Sequence, residues 1–477
     1  MASILVLGAT GYVGGRLVPR LIQHGHKVRC LVRDRGKTLD RHWEGVGIFE
    51  GDVLKAETLP EAFAGVDIIY YLVHSMGSGE KDFEQLDRIA AKNVTDTASR
   101  SGVRQIIYLG GLGRREEGQS KHLRSRHEVA DLLREGDVPV TEFRAAVVIG
   151  SGSASFEMIH HLANRLPMMI CPRWVYTRTQ PIGIGDVLRY LIAAADKPET
   201  AGKIFDIGGP DVSTYREMML TVARTLGLKR LLIQVPVLTP RLSSYWVNLV
   251  TPIPAQVARP LIEGLRHETV CENDDARCVF DIQPMSLEEA VQRALAKVRD
   301  HDIETTWTEA TSVADQPAVD QSHLRIDKRV VEVDAPADRL FSIISSIGGD
   351  NGWYYADWLW KIRGFIDKQF GGVGLRRGRR HPDDLRTGEA LDFWRVEKYI
   401  PREMLLLRAE MKVWGRAWLE FAVESLGENK SRLIQTARYY PRGLFGLIYW
   451  YTVYPLHAMV FKGMAQEIGR RAESKTI

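Results

Sequence analysis

The sequence contains few cysteines, and their spacing argues against two common uses of them. The four are Cys30, Cys171, Cys271 and Cys278. No pair has the C-x-x-C spacing of a zinc site, and four scattered thiols do not suggest a disulfide framework. We therefore expect no metal centre and a reducing, cytoplasmic compartment.

Strong net charge and a secretory signal are also lacking. The formal net charge is +4 over 477 residues, and no nucleic-acid-binding motif is present, so nucleic acid is not an expected partner. The chain begins MASILVLGATG, an apolar run that is too short for a signal peptide and has no basic residues before it. This run is typical of a buried first strand.

Long hydrophobic runs are absent except near the C-terminus. Residues 443–461 contain no charged side chain and are flanked by Arg442 and Lys462, which meets the length criterion for a membrane span. Pro455 and His457 weaken that interpretation. We favour a long amphipathic or buried helix that closes the last domain, and keep peripheral membrane contact through 443–461 as the alternative.

Continuous apolar runs alternate with helical stretches over the first 300 residues. The runs are 4–7, 28–32, 67–73, 105–110 and 140–150. A strand that is apolar at every position is covered on both faces, as in a parallel sheet wrapped by helices. The expected fold class is α/β, with a doubly wound parallel sheet of the Rossmann type.

The composition changes after that domain. Residues 301–325 are polar and lack helical or strand periodicity, which is typical of a linker. Seven of the 11 tryptophans lie after residue 350, among alternating strand patterns that indicate an antiparallel sheet. We predict an α/β domain at 1–300, a linker at 301–325 and an α+β domain at 326–474.

The motif GATGYVGG directly follows the first predicted strand. Gly8, Gly11 and Gly14 permit a tight turn and bring a pyrophosphate close to the start of the next helix. We expect a dinucleotide to bind here. The predicted contacts are Gly8, Thr10, Gly11, Tyr12, Val13 and Gly14.

The end of the second strand predicts which dinucleotide is bound. Arg33 lies 19 residues after Gly14, where a carboxylate usually selects NAD, and a guanidinium there suits the 2'-phosphate of NADP. Asp34 leaves NAD open as the less favoured cofactor. Asp52 and Val53, after the third strand, are expected to meet the adenine.

These features resemble the short-chain dehydrogenase/reductase superfamily in its extended or atypical branch. The resemblance runs through GATGYVGG, LVR, EGDV, YYLVHSM, IIYLGGLG, SKHLRSRHEVADLLRE and TEFRAAVVIG. In that family, a serine after the fifth strand and a Tyr-x-x-x-Lys on the next helix perform the chemistry. Here Gly110 or Gly111 stands at the serine position. His122 stands at the tyrosine position and Arg126 at the lysine position.

The resemblance implies roles for these replacements. Arg126 would hold the cofactor ribose or phosphate, but it stays protonated near neutrality. His122 could act as a general acid. Helical spacing places both residues with Val129 and Leu133 on the packed side of the helix, and places His127 elsewhere.

Other polar groups stand where they could compensate for the lost serine. His74 and Ser75 end the fourth strand and are candidates for contact with nicotinamide or substrate, although lone histidines are more often structural. The sixth strand is followed by Ser151, Ser153 and Ser155. The resemblance also implies backbone contact between Val148 and the carboxamide.

The last domain resembles the START-like helix-grip family. The resemblance rests on VVEVDAPADRLFSIISSIGGDNGWYY, GGVGLRRGRR, LDFWRVEKY and LLLRAEMKVWGRAWLEF, and implies an apolar cavity between a curved sheet and a long helix. The tryptophans are expected either to line that cavity or to build an aromatic core. These are Trp353, Trp358, Trp360, Trp394, Trp414 and Trp418.

The same domain carries a dense group of arginines. They are Arg376, Arg377, Arg379 and Arg380. A solvated hairpin is the default interpretation, and binding of an anionic ligand is the alternative.

Together these expectations describe an NADP(H)-binding protein with a small apolar molecule or lipid in its C-terminal domain. The favoured function is NADPH-dependent reduction of an apolar carbonyl, enone or quinone-like compound, with His122 and Arg126 as the catalytic candidates. A non-catalytic NADPH-binding sensor or structural subunit is one alternative. A lipid-binding or membrane-docking protein is the other.

Overall fold

The structure is a computed structural model that describes most of the chain. The described residues are 1–41, 43–74, 83–115, 119–235, 244, 247, 250–251, 253, 255–310, 324–369 and 372–474. The chain divides into two compact units, residues 1–312 and 313–477.

The N-terminal unit is an α/β unit. Its strands are β1 (Ser3–Leu7), β2 (Lys27–Val32), β3 (Gly47–Glu50), β4 (Ile68–Tyr71), β5 (Gln105–Gly111), β6 (Val140–Ala145), β7 (Val148–Ile149), β8 (Met168–Pro172), β9 (Arg178–Thr179), β10 (Ile182–Gly183), β11 (Ile204–Ile207), β12 (Ser213–Thr214) and β13 (Leu231–Val235). Its helices are α1 (Gly14–Gln23), α2 (Pro60–Phe63), α3 (Phe83–Arg100), α4 (Lys121–Arg134), α5 (Ala154–Arg165), α6 (Ile184–Ala195), α7 (Tyr215–Thr225), α8 (Ala255–Gly264), α9 (Asp275–Phe280) and α10 (Leu287–Arg299).

Among the described residues, seven parallel strands form the main sheet in the order β11-β6-β5-β4-β1-β2-β3. The inner strands are buried on both faces, as their continuous apolar sequence predicts. The strand order reverses between β1 and β4, and ligands of such sheets bind at that point, beyond the carboxyl ends of the strands. The Rossmann prediction is confirmed.

The C-terminal unit is an α+β unit. Its elements are β14 (Arg325–Val333), α11 (Ala337–Ser345), α12 (Asp357–Gln369), β15 (Ala390–Leu391), β16 (Trp394–Ile400), β17 (Met404–Ala409), β18 (Gly415–Gly427), β19 (Lys430–Pro441) and α13 (Gly443–Glu473). Within the described part, six antiparallel strands follow the order β14-β19-β18-β17-β16-β15. The second half of α13 packs on this sheet and on α11 through Met464, Ala465 and Ile468.

Residues 303–310, which the sequence analysis assigned to the linker, pack on the N-terminal unit. Thr305 Oγ1 donates to the Tyr12 carbonyl at 2.8 Å. The Trp307 indole donates to Glu157 Oε2 at 2.9 Å. The segment has no periodicity because specific polar bonds, and not an apolar face, hold it in place.

Candidate functional site

The turn between β1 and α1 can be made only with glycine at two positions. Gly8 has φ +84°, and a Cβ atom there would lie 2.6 Å from the Leu72 carbonyl oxygen. A Cβ atom at Gly14 would lie 2.3 Å from the Gly8 carbonyl oxygen. Both distances are far below ordinary contact, so any larger side chain would fill the turn.

The backbone of this turn presents hydrogen-bond donors. Gly11 donates its amide to the Gly8 carbonyl at 3.0 Å and closes the turn. The amides of Thr10, Tyr12 and Val13 donate to no other group in the described residues. Unused amides at the start of a helix are the partners that a pyrophosphate requires. The residues predicted to bind a dinucleotide therefore fit one.

The Tyr12 side chain is part of the packing around this turn. Burial raises the pKa of its hydroxyl to about 12. A Cβ atom at Gly150 would lie only 2.5 Å from that hydroxyl, and the Arg16 guanidinium lies 4.7 Å from the ring centroid. Arg16 also donates to the Ser151 carbonyl at 2.7 Å. Tyr12 thus joins α1 to the loop after β7 as a neutral group.

Asp34 is occupied by its own loop. Its Oδ1 accepts a hydrogen bond from the Gly36 amide at 2.8 Å. A carboxylate that selects NAD has to accept from the ribose hydroxyls, and here one of its oxygens is already used locally. Arg33, directly before it, is half-buried.

Two further cations of the same loop contact residues 303–310. The Lys37 ammonium donates to the Glu309 carbonyl at 2.9 Å, and Arg41 forms an ion pair with the buried Glu309 carboxylate. Arg41 also donates to the Thr10 carbonyl at 3.3 Å. The former linker segment therefore contacts the loop that follows β2 as well as the glycine turn.

Asp52 and Val53 form a fixed loop after β3. Asp52 Oδ1 accepts from the Leu54 amide at 3.0 Å, and the Asp52 amide donates to Thr58 Oγ1 at 3.0 Å. The Val53 carbonyl accepts from Asn93 at 2.9 Å. Their contact with adenine remains a prediction.

A chain of three side chains lies beyond the end of β4. Asp87 Oδ2 lies 3.2 Å from His74 Nδ1, and His74 Nε2 lies 3.2 Å from His122 Nδ1. Ser125 Oγ donates to the same Asp87 oxygen at 2.8 Å. The structure thus brings the predicted residues His74 and His122 together.

Burial and charge fix the protonation of this chain. Burial lowers the pKa of His74, and burial with the neighbouring His74 and Arg126 holds the pKa of His122 well below 6.5. Burial would raise the pKa of Asp87, but the hydrogen bonds from His74 and Ser125 outweigh it, and the pKa is lowered. The carboxylate is therefore ionised and both imidazoles are neutral near pH 7.

Arg126 ties the ends of two strands together. It donates to the Val73 carbonyl at 3.3 Å and to the Leu109 carbonyl, and its guanidinium lies 4.9 Å from the centroid of the Tyr108 ring. Both carbonyls lie at the carboxyl edge of the sheet. Arg126 is 9% exposed and stands where a cofactor crossing this edge would pass.

Two of the serines proposed as substitutes are used for structure. Ser151 is buried, and its carbonyl accepts from Arg16. Ser153 caps α5 by accepting from the Phe156 amide, and its hydroxyl donates to the Val148 carbonyl at 3.1 Å. Their position after β7 made them candidates, but the Ser151 hydroxyl accepts from the Arg16 guanidinium at 3.5 Å and the Ser153 hydroxyl bonds to local backbone groups. The half-buried Ser155 remains a candidate. Ser75 lies outside the described residues.

Sequence reasoning missed Asp87. On α3 it shares a buried stripe with Ala91, Val94 and Ala98, at steps of four, three and four. One carboxylate on an otherwise apolar stripe is the pattern that could have identified it. The placement of His127 away from the packed side is wrong, since this side chain is buried.

An apolar cavity lies in the C-terminal unit among α12, α13 and the sheet. It is lined by Leu359, Trp360, Arg363, Trp394, Met411, Val413, Ala417, Trp418, Ala437, Arg438, Tyr439, Tyr449, Trp450, Val453, Leu456, His457, Val460 and Phe461. Its empty volume, part of it open to solvent, is about 770 Å³. Trp360 Nε1, Trp394 Nε1 and His457 Nδ1 are buried there without a hydrogen-bond partner among the described residues.

The arginine cluster is only partly described, and that part is internal. Arg379 donates to the carbonyls of Ser345 and Ile347, both at 2.7 Å. Arg380 is buried and pairs with Glu389. Both the solvated hairpin and the anion site are therefore wrong for these two arginines, because backbone and carboxylate oxygens already bind them. The side chains of 376–377 lie outside the description.

Two sequence families match the chain. Residues 8–146 match the family described as "NAD(P)H-binding". Residues 321–464 match the family described as "Protein of unknown function (DUF2867)". The chain therefore carries an NAD(P)H-binding Rossmann domain followed by a domain of that second family.

Curated relatives cover about half of the chain. The ceramide reductase of Caulobacter vibrioides is 26% identical over 236 residues, which span 49% of this chain and 73% of that protein. The Photosystem II assembly factor Ycf39 of Cyanophora paradoxa is 23% identical over 241 residues, spanning 49% and 72%.

Solved structures show the same fold. The triphenylmethane reductase of Citrobacter sp. is 20% identical with a TM-score of 0.51, covering 62% of this chain and 99% of that one. Its complex with NADP(H) is 21% identical with a TM-score of 0.50, covering 61% and 99%. At this identity the likeness establishes the fold alone.

Proposed function

We propose that the protein is an NADP(H)-dependent reductase whose N-terminal unit reduces an apolar carbonyl, enone or quinone-like compound. The observation that carries this proposal is the Asp87–His74–His122 chain beside Arg126, at the sheet edge where the glycine turn binds a dinucleotide. Relatives named as reductases include those of ceramide, of the 8-vinyl group of divinyl chlorophyllide a and of a (dihydrofuranyl)methyl phosphate.

The glycine turn and the residues at the sheet edge have separate roles in this reaction. Amides of the glycine turn hold the pyrophosphate, and Arg126 holds the adjoining ribose or phosphate. The bound cofactor supplies a hydride to the substrate carbon. The substrate oxygen then needs a proton, and His122, one helical turn before Arg126 on α4, is the group that we assign to supply it.

The hydrogen bonds determine which nitrogen of His122 acts. Because ionised Asp87 accepts from His74 Nδ1, neutral His74 leaves its Nε2 as an acceptor. His122 Nδ1 then donates to that atom, which leaves His122 Nε2 without a proton. To act as an acid, His122 takes a proton from solvent at Nε2, and Asp87 stabilises the resulting charge through His74.

The loop after β2 supports NADP(H) over NAD(H). Asp34 is held by Gly36, Lys37 and Arg41 bind Glu309, and Arg33 supplies a guanidinium at the position where the ribose is read. A 2'-phosphate is doubly charged and gains most from such a group. The structure of the Citrobacter enzyme with NADP(H) supports the same assignment.

The C-terminal cavity supports an apolar ligand with an acceptor atom. Its walls are mostly apolar, and the buried indole N–H groups of Trp360 and Trp394 and the buried Nδ1 of His457 have no partner in the described chain. A carbonyl oxygen would satisfy such donors. A long helix packed across an antiparallel sheet, with a cavity between them, supports the helix-grip assignment of this unit.

One observation favours a second function, that of an NADPH-binding sensor without turnover. The position of the family's serine is filled by Gly110 or Gly111, the Ser151 hydroxyl accepts from Arg16 at 3.5 Å, and the Ser153 hydroxyl donates to the Val148 carbonyl at 3.1 Å. Neither of these two hydroxyls therefore replaces the one that orients a substrate carbonyl. Loss of such a donor typically lowers kcat by about 100-fold or more.

Oxidation of NADPH with a panel of quinones, enones and ketones separates the two functions. The reductase proposal predicts turnover, a loss of roughly 100-fold or more in His122→Phe, and unchanged NADPH affinity in that variant. His24→Phe is the matched control, since His24 is exposed at the end of α1. Tight NADPH binding without turnover on any acceptor would favour the sensor instead.

A further inference from the structure

One exposed face of the C-terminal unit is formed by three neighbouring segments. The first half of α13 exposes Leu444, Phe445, Ile448, Tyr451, Leu456 and Met459. Helix α12 exposes Trp358, Ile362, Phe365 and Ile366. Trp414 lies in the loop between β17 and β18 and is 58% exposed. We call this set the apolar face.

Direct contacts hold the three segments side by side. Arg363 of α12 donates to the Lys412 carbonyl at 2.9 Å. The Trp414 carbonyl accepts from the Arg442 amide at 2.9 Å, and the rings of Trp414 and Tyr449 are 6.1 Å apart. The apolar face is therefore one continuous surface, and the same segments line the apolar cavity.

Helix α13 changes character along its exposed side. From Leu444 to Met459 that side is apolar, and from Lys462 onward it is polar, although the whole helix is continuous. Only 22% of its most apolar 18-residue window is buried. A helix that needed this side only to complete a soluble core would bury it, as the second half does against the sheet.

The exposed charges around the apolar face are mostly cations, with Asp357 at the start of α12 as an exposed acid. The segments 358–366, 411–416 and 442–466 contain six lysines and arginines and no aspartate or glutamate. Of these cations, Lys361, Lys412, Arg442 and Lys462 are exposed. Exposed tryptophans and tyrosines ringed by cations are typical of surfaces that lie in the headgroup region of a bilayer.

We propose that the apolar face docks on the surface of an anionic lipid bilayer. The first half of α13 lies in the interface and does not cross it, because Gly446 and Trp450 pack its other side against the protein. The cavity opens among the same segments, so a lipid-soluble ligand would reach it from the membrane.

Flotation of the full chain with phosphatidylcholine vesicles, with and without 30% phosphatidylglycerol, tests the proposal. Binding is expected to the anionic vesicles and to fall steeply with salt. Ile448→Glu should weaken vesicle binding by roughly tenfold or more. Lys361→Glu and Lys412→Glu, made as two separate variants, should each weaken it by at least about fivefold. The matched control is Ile326→Glu, which changes an equally exposed isoleucine on β14.

Three outcomes would overturn the proposal. One is no binding to anionic vesicles at low salt, and another is equal loss of binding in the β14 control. The third is a dimer, measured by light scattering, that Ile448→Glu dissociates, because a second copy would then cover the apolar face. Far-UV circular dichroism of each variant checks its fold, and the lysine reversals, at exposed positions, test the surface without altering the core.

Discussion

The two candidate sites treat buried polar groups in opposite ways. In the N-terminal unit, Asp87, His74 and His122 bond to one another, so the site is organised before any substrate arrives. In the C-terminal cavity, the donors of Trp394 and His457 lie buried without partners in the described residues. A polar chain whose members bond to one another is suited to chemistry at a fixed point. Buried donors without partners in an apolar cavity are suited to a ligand that accepts their hydrogen bonds.

The largest expected effect comes from filling the glycine turn. Gly14→Ala places a Cβ atom 2.3 Å from the Gly8 carbonyl, so the turn must open and the phosphate donors move. We expect NADPH affinity to fall about 100-fold or more, or about 2.7 kcal/mol, in a fluorescence titration. Gly185→Ala on α6 is the control, because its Cβ atom meets only ordinary contact. Equal affinities would remove the turn from the cofactor site.

The second largest effect should come from breaking the Asp87–His74–His122 chain. Asp87→Asn keeps the size of the side chain but removes the charge that fixes the His74 tautomer. We expect kcat to fall roughly tenfold to a hundredfold with little change in NADPH affinity. Asp131→Asn is the control, since it alters the pairs with Arg115 and Arg134 and none of the bonds of the closed chain. A parallel fall in both variants would mean that the chain is structural.

Two tryptophan variants test the difference between satisfied and unsatisfied buried donors within the C-terminal unit. Trp353 Nε1 donates to the buried Asp392 carboxylate at 2.9 Å, whereas Trp394 Nε1 has no described partner. Trp353→Phe should therefore destabilise the C-terminal unit by about 1–3 kcal/mol more than Trp394→Phe does, in urea unfolding followed by tryptophan fluorescence. Equal losses would show that the Trp394 donor is satisfied in solution.

A further prediction concerns the pH dependence of kcat. His122 must carry a second proton to act as an acid, and burial with neighbouring cations holds its pKa well below 6.5. Above that pKa, the protonated fraction and the reductive kcat should fall by about tenfold per pH unit between pH 6.5 and 8.5. His122→Phe should show no such slope. A flat profile in the wild-type protein would exclude His122 as the proton donor.

Sequence patterns predicted the features that depend on residues close together in the chain. The strands follow from continuous apolar runs, and the glycine turn from the close approach of the backbone between Gly8 and Gly14. Asp87 was not predicted as a site residue because the other members of its chain, His74 and His122, come from other elements. The packing of residues 303–310 was not predicted because individual polar bonds hold Thr305 and Glu309 in place. Such bonds produce no periodic pattern in a sequence.

The central claim is that the glycine turn and the loop after β2 bind NADP(H). Titration of the full chain with NADPH and with NADH, followed by cofactor fluorescence, tests it most directly. The account predicts saturable NADPH binding at least about tenfold tighter than NADH binding, with the difference lost in Arg33→Ala. Absence of NADPH binding, or tighter binding of NADH, would contradict it.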